Sequence, residues 1–416
     1  MIDFCSQDAK PLLLVDEAIA KIQASVTSVK EQELVDLKNA LGRVLAEDVY
    51  AKVPSPPYKN SAMDGYAFCS NEVNYAQDFV LKVVGTAWAG RPYKGEVSSG
   101  QCLRIFTGAL VPEPLDSVIM QEHVTVSDNQ VQFPLTTQPY QNIRKQGEDV
   151  AIGSIVLEAN KVLSAMDLGL LASVGIEKIS VIRQIKVAFF STGDELQTLD
   201  QPLACGQIYD SNRYTLNGLL NNPQYSVVDM GVIADDPEAL ETSFLKAAQH
   251  FDVIITTGGA SVGDADYIEE VLDRCGQVNF WKLAIKPGKP LAFGKIGRCH
   301  FFGLPGNPVA VVVTFQYLVE PALKKLAGLV ASKKLQMFAT SLSSLNKSKG
   351  RQEYQRGILT QDSDGEFFVS SAGKQGSNIL KSMSQANCYI VLPVDCQGVK
   401  EGDKVKVDLM PGACVV

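Results

Sequence analysis

The chain has 416 residues, 46% hydrophobic and 20% charged, with a net charge of −8. That length predicts roughly two to four domains with enough apolar material for several cores. The acidic balance argues against a nucleic-acid partner, which needs a basic face, and no apolar run approaches the roughly 18 residues of a membrane span.

Residues 1–50 read as helical. Leu13, Ala18 and Ile22, then Leu34, Leu37, Leu41 and Leu45, fall near helical spacing, with Gly42 and Arg43 interrupting. The apolar stretch 12–15 is too short for a secretory leader, so the expected compartment is cytoplasmic. A proline break at 54–57 opens a change of composition. Residues 51–142 form short strand-like runs, such as 79–84 and 102–106, punctuated by Gly and Pro, and read as an inserted β-rich domain. Residues 143–180 return to a Gly-containing link and a helix over 165–173. With 1–50 they make a segmented linking domain.

Residues 181–330 alternate strand and helix. The apolar run 185–190, broken only by Lys186, reads as a strand buried on both faces. A helix over 213–220 and a strand over 226–230 follow. Asp236 is an N-cap with Pro237 at the first helical position. A strand over 252–257 runs into Gly258-Gly259, and a helix over 267–275 is closed by Gly276. This alternation means a largely parallel α/β sheet, whose ligand site lies beyond the carboxyl ends of the strands. Residues 331–416 lose the pattern. Their short alternating strands, ending at 404–409, suggest a C-terminal β-barrel. The fold class is thus α/β plus β, multidomain.

Nine cysteines, an odd number without a Cys-x-x-Cys pair, read as reduced thiols. Three scattered histidines speak against a zinc site or a Ser-His-Asp triad. A charge split within the α/β region carries more information. From Asp194 to Asp273 stand fifteen acidic and two basic residues; from Arg274 to Val319, six basic and none acidic. Most of these are solvated helix faces. Asp194, Glu195, Asp235, Asp236, Asp264 and Asp266, however, all follow strands, and in a parallel sheet such loops share one edge. Clustered carboxylates there suit Mg²⁺. Lys286 and Lys289, in a Gly/Pro loop, suit an anion. Gly-rich turns at 257–263 and 303–308 offer backbone N–H groups, the second with Asn307 as N-cap, though each is equally a tight βα turn. Neither a Walker A loop nor a dinucleotide fingerprint is present.

Ten segments then resemble one family along essentially the full length. They include Asn60-Ser61-Ala62-Met63-Asp64-Gly65-Tyr66-Ala67, Arg104-Ile105-Phe106-Thr107-Gly108-Ala109, Gly147-Glu148-Asp149 after Arg144, and Ser191-Thr192-Gly193-Asp194-Glu195-Leu196. Gly206-Gln207-Ile208-Tyr209-Asp210-Ser211-Asn212, Gly258-Gly259-Ala260-Ser261-Val262-Gly263, Lys286-Pro287-Gly288-Lys289-Pro290 and Leu304-Pro305-Gly306-Asn307-Pro308 follow, with Gln355-Arg356-Gly357 and Gln375-Gly376-Ser377 in the tail. The chain resembles the molybdopterin molybdenumtransferases, that is, bacterial MoeA proteins and the gephyrin E-domain. The resemblance implies an elongated homodimer with a segmented linking domain, an inserted β-domain, a three-layer α/β molybdopterin-binding domain and a terminal barrel. It implies a cleft between the α/β domain of one subunit and the inserted domain of the other. The implied reaction converts adenylyl-molybdopterin and molybdate, with Mg²⁺, to molybdenum-molybdopterin and AMP, and an implied further partner is the upstream molybdopterin adenylyltransferase.

By the same resemblance, Lys286, Lys289, Arg356 and Ser377 contact the anion. Asp194, Glu195, Asp235 and Asp266 hold Mg²⁺ or place the attacking oxygen. Asp64, Thr107 and Asp149 act from the partner subunit. The pterin lies against Gly258, Gly259, Ser261, Pro305 and Pro308. Without the resemblance, Asp64 before Gly65 is a turn pair, Thr107 a strand-end hydroxyl, Asp149 a turn cap and Asp235 a support for a helix start. Arg356 is then a surface ion pair and Ser377 a turn residue. The sequence departs from the family at Ala310, where many relatives have serine, at Phe106 (methionine), at Leu110 (proline) and at Lys145-Gln146 (two arginines). Two other functions compete: adenylyl transfer from ATP, as in related single-domain proteins, and a non-catalytic dimeric scaffold. The four regions disfavour the first; the intact carboxylates disfavour the second.

Overall fold

The computed structural model describes residues 12–258, 267–329 and 336–412. The chain divides into two compact units: residues 34–41 with 45–181, and residues 1–33, 42–44 and 182–416.

The first unit is built on a six-stranded sheet in the order Ser117–Met120, Gly65–Phe68, Gln101–Ile105, Phe79–Ala87, Gln130–Phe133, Thr125–Ser127. Strand alternation sends Ala67, Leu103 and Ile105 to one face and Tyr66, Phe68 and Cys102 to the other, and each face closes its own apolar core. Phe133 stacks on Phe79 with ring centroids 4.9 Å apart and meets Phe68 edge-on at 5.1 Å. A separate core of Leu45, Leu157, Leu163, Leu171 and Val181 lies under helix Ala165–Ser173. That helix starts on a capping box: Ser164 N–H donates to Asp167 at 2.8 Å, and Asp167 N–H returns a bond to Ser164 Oγ at 3.3 Å.

The expectation of helix throughout 1–50 is corrected. Among the described residues of that stretch, α-helix occupies Val15–Ser25 alone, which buries Val15, Ala18 and Ile22; Gln32–Asp36 and Val49–Tyr50 are strands, and Leu37–Asn39 is a single 3-10 turn. The leucines at 34 and 41 are 68% and 52% exposed, while Leu45 is fully buried, so they never formed one apolar stripe. Gly42 at φ +74° turns the chain, and a side chain there would meet Pro223 at 2.8 Å.

The second unit holds the α/β layers and a barrel. Its six-stranded sheet runs Tyr225–Ile233, Ile185–Thr192, Val253–Thr257, Cys299–Leu304, Pro290–Ile296, Gln277–Lys282. The first four strands are mutually parallel, and Pro290–Ile296 is antiparallel to both its neighbours. Helices Pro237–His250 and Tyr267–Cys275 cover one face, where Leu240, Phe244, Val271 and Leu272 pack on Ala188, Phe190, Ile254 and Phe301. Ser211–Leu220 and Pro308–Thr314 pack together with the sheet between them and the first pair, giving three layers. Asp236 caps its helix as expected, accepting from Ala239 N–H at 2.9 Å. Asn307 stands at the N-cap position but makes no side-chain cap bond.

Five strands close the C-terminal barrel: Gln352–Gln361 pairs with Phe367–Ser371 on one side and with Cys388–Leu392 on the other, and Met337–Ser341 and Lys404–Leu409 complete the circuit. Short strand Ile285–Lys286 of the α/β region adds alongside it, Lys286 opposite Glu353. The helical run that leads into the barrel contains a π segment, Phe315–Val319. Gln316 in this segment accepts from Tyr389 Oη at 2.6 Å, and Tyr317 Oη donates to Asp408 at 2.8 Å, so the segment docks the barrel.

Candidate active site

The parallel sheet sets the first group of residues. Register pairs Thr192 with Ile233 at neighbouring strand ends, so Asp194 and Asp235 each follow by two residues on the same edge. Burial raises the proton affinity of Asp235, and the charges of Asp194 and Glu195 raise it further. Glu195 folds back over Gly193, where an added Cβ would stand 2.6 Å from its Oε2. Gly258, at φ +89°, packs so closely on Thr192 that a Cβ would meet its carbonyl at 2.4 Å. Among the described residues, no three His, Cys, Asp or Glu side chains come close enough to hold a metal ion together. Asp266, Gly259 and Ser261 lie outside the described residues.

The second group lines a cleft of about 330 Å³ between residues 286–287 and the barrel, walled by Lys286, Asn346, Glu353, Gln355, Arg356 and Gln375. Lys286 Nζ donates to Glu353 at 2.9 Å; Glu353 is almost wholly buried and also accepts from Gln355 Nε2 at 3.0 Å. Lys289 is exposed. Arg356 is no surface ion pair: it is 1% exposed, and its guanidinium donates to the carbonyls of Lys374, Gln375 and Gly376 and to Ser382 Oγ. Ser377 is half-buried, and its carbonyl accepts from Val309 N–H at 3.0 Å, tying the barrel loop to the start of helix Pro308–Thr314. Pro305 is buried and Pro308 half-buried. The turn between them is held by Asn212, whose Nδ2 donates to Gly306 O at 2.7 Å.

The third group lies in the other unit. Gly65 pairs with Ile105, which brings Asp64 beside the turn after that strand. Asp64 Oδ1 accepts from both the N–H and the hydroxyl of Thr107, each at 2.7 Å. The Thr107 N–H, then its hydroxyl, hold the Asp64 carboxyl below its ordinary range, and the charge of Arg104 adds to this. Arg104 lies 4.7 Å from the centroid of the Phe106 ring, and that ring stacks on half-exposed Trp88 at 3.9 Å. Asp149 is exposed on a separate loop, its N–H bonded to Ser55 O at 3.0 Å.

Sequence reasoning missed Glu353, Gln375, Asn212 and the stack of Trp88 on Phe106. Asn212 and Gln375 stood inside quoted motifs without a role. Glu353 carried no local signal, since the strand Gln352–Gln361 buries Gln355 and Arg356 as well and polarity along it marks no inner face.

Comparison with known proteins fits this layout. The N-terminal region of MoeA (its domains I and II) matches residues 13–175, a probable molybdopterin-binding domain matches 188–325, and the C-terminal region of MoeA (domain IV) matches 339–410. These three matches in series define a multidomain protein of the molybdopterin-binding class. The molybdopterin molybdenumtransferase of Haemophilus influenzae is 42% identical over 95% of this chain and 98% of its own, and that of Nostoc sp. is 36% identical over 94% and 92%. The crystal structure of the molybdopterin biosynthesis MoeA protein from Pyrococcus horikoshii superposes with a TM-score of 0.81 at 28% identity, covering 96% of this chain and all of that one. The chain belongs to the MoeA family of molybdopterin molybdenumtransferases.

Proposed function

We propose that this protein inserts molybdate into adenylyl-molybdopterin with release of AMP, in the assembly of the molybdenum cofactor. The observation that carries the reading is the strand edge where the register of Thr192 with Ile233 sets Asp194 and Asp235 each two residues beyond, with Glu195 folded over Gly193 beside them. No three described carboxylates hold a cation by themselves, but carboxylates gathered at one strand edge suit a hard divalent cation that takes its remaining ligands from a phosphate and water. The substrates are a phosphate anhydride and an oxyanion, which need positive charge and oriented donors around them.

Asp194, Glu195 and Asp235, with Asp266, are the candidate ligands for Mg²⁺. A bound Mg²⁺ would neutralise charge on the phosphate oxygens. Lys286 and Lys289 bring positive charge to the oxyanion, Lys286 by leaving Glu353 when a guest of higher charge arrives. Ser377 adds a donor from the barrel loop. The pterin lies along the turns that begin at Gly258 and run through Pro305 to Pro308. Asp64, held by Thr107, and Asp149 complete the site from a second copy of the chain, in a homodimer.

The test uses purified protein with adenylyl-molybdopterin, Mg²⁺ and molybdate. AMP release together with active cofactor is the expected result. No AMP release here, with consumption of ATP in a parallel reaction given molybdopterin, Mg²⁺ and ATP, would reassign the chain to adenylyl transfer. Glu195→Ala is expected to reduce turnover at least a hundredfold with an unchanged melting temperature; wild-type turnover in that variant would remove Glu195 from the mechanism.

A further inference from the structure

Arg356 is an arginine buried without a carboxylate. Among the described residues it makes no ion pair, although it is 1% exposed on a barrel strand lining the cleft. Four of its five N–H donors are engaged inside the protein, three by main-chain carbonyls and one by Ser382 Oγ. Nη2 donates to Lys374 O and Gly376 O, both at 2.9 Å, Nη1 to Gln375 O at 3.2 Å, and Nε to Ser382 Oγ at 3.2 Å. The backbone of Arg356 is clamped to the same loop: its N–H donates to Gln375 Oε1 at 2.8 Å, and its carbonyl accepts from Gln375 Nε2 at 3.0 Å.

Three consecutive carbonyls turned to one cation have a geometric consequence. In a trans peptide the C=O of one residue and the N–H of the next point in opposite directions. With the carbonyls of Lys374, Gln375 and Gly376 turned inward, the N–H groups of Gln375, Gly376 and Ser377 turn outward. Among the described residues none of those three N–H groups donates to a protein acceptor. The far end of the loop is fixed as well, by Val309 N–H on Ser377 O.

We propose that Arg356 is a positioning residue: with three of its N–H donors on the carbonyls of Lys374, Gln375 and Gly376 it holds the N–H groups of Gln375, Gly376 and Ser377 outward as the donors an oxyanion meets. This rests on the reading that the loop serves molybdate or phosphate, and it changes the role that the family resemblance gives Arg356, from contact to support. A lysine keeps the charge but places one ammonium where a planar fork now reaches three carbonyls and a hydroxyl. A direct anion contact tolerates that change in part; a loop support does not.

The experiment compares Arg356→Lys and Arg356→Gln with the wild-type protein by molybdate KM, kcat and amide hydrogen exchange of the segment around 372–380. Support predicts that both variants raise the molybdate KM by the same factor, roughly tenfold or more, with a smaller change in kcat. It also predicts that both raise exchange of the segment before any substrate is added. Gln375→Ala leaves the charge of Arg356 in place and is expected to raise the same KM several-fold and to loosen the same segment; it decides the matter if the Arg356 variants do not fold. Near-wild-type KM in Arg356→Lys beside a loss in Arg356→Gln would overturn the proposal, as would unchanged exchange in every variant that folds. If the wild-type protein shows no molybdate-dependent turnover, the functional reading falls, and the exchange measurement alone still supports or rejects the role of Arg356 in the loop.

Discussion

Thr107 gives Asp64 both of its donors, and the main-chain donor survives any substitution except proline. Thr107→Val therefore removes half of the hold on Asp64 while leaving the turn. The expected result is a fall of about fivefold in kcat/KM, the upper end for one interaction with a solvent-exposed charge, with no change in molybdate KM. Asp235 behaves in the opposite sense. Its folded-state proton affinity is raised by burial, then by Asp194 and Glu195, so its proton competes with a bound cation at pH values above the ordinary aspartate range. The Mg²⁺ concentration for half-maximal activity is expected to rise as pH falls from 7 toward 5, and to rise less in Asp194→Asn. A pH-independent Mg²⁺ requirement would remove Asp235 from the cation site. At this scale the sequence named Asp64, Asp194, Glu195 and Asp235 through motifs and strand-end position. Glu353 escaped it, because an isolated acid on a barrel strand has no signature until the paired strand brings Lys286 opposite.

Elements were legible where one physical rule dominated. Helix Ala165–Ser173 and strand Lys404–Leu409 have the bounds their patterns predict, since a local cap or a clean alternation decides them. The stretch before Tyr50 was misread because leucine spacing cannot tell a helix face from a strand interrupted by a turn, and Gly42 settles it only through its left-handed backbone. At the edge of the sheet remote from the carboxylates, Arg183 grips Asp252 with two bonds, at 2.7 and 2.9 Å, and Lys186 N–H donates to the same carboxylate at 2.8 Å. Burial alone would raise the pKa of Asp252, but the Arg183 fork outweighs it and the carboxyl titrates below its ordinary range. A depressed carboxylate adds stability above its unfolded pKa and loses it as pH falls through the folded value. Asp252→Asn is thus expected to cost about 2–3 kcal/mol near neutral pH, and the deficit relative to wild type should shrink below pH 4. Turnover of the folded fraction should stay unchanged, which denaturant titration beside activity would check.

At the scale of the whole molecule, the chain carries its candidate chemistry in two separate units. Asp64, Thr107 and Asp149 belong to one; the strand edge and the barrel cleft belong to the other. Composition placed the β-rich insert and the barrel correctly in kind, because loss of strand–helix alternation is visible without coordinates. How copies of the chain combine is not written in any local pattern, and the proposal of a homodimer with a composite site stands on the family resemblance.

Complementation tests that proposal most directly. Asp64→Ala and Glu195→Ala, each inactive alone, are co-expressed with different tags, and AMP release is measured on the mixed population. If sites are shared between two copies, random pairing makes half the dimers mixed, and each mixed dimer holds one intact site, so activity returns to about a quarter of wild type. Activity that stays at the level of the single variants, with mixed dimers present, would contradict the account.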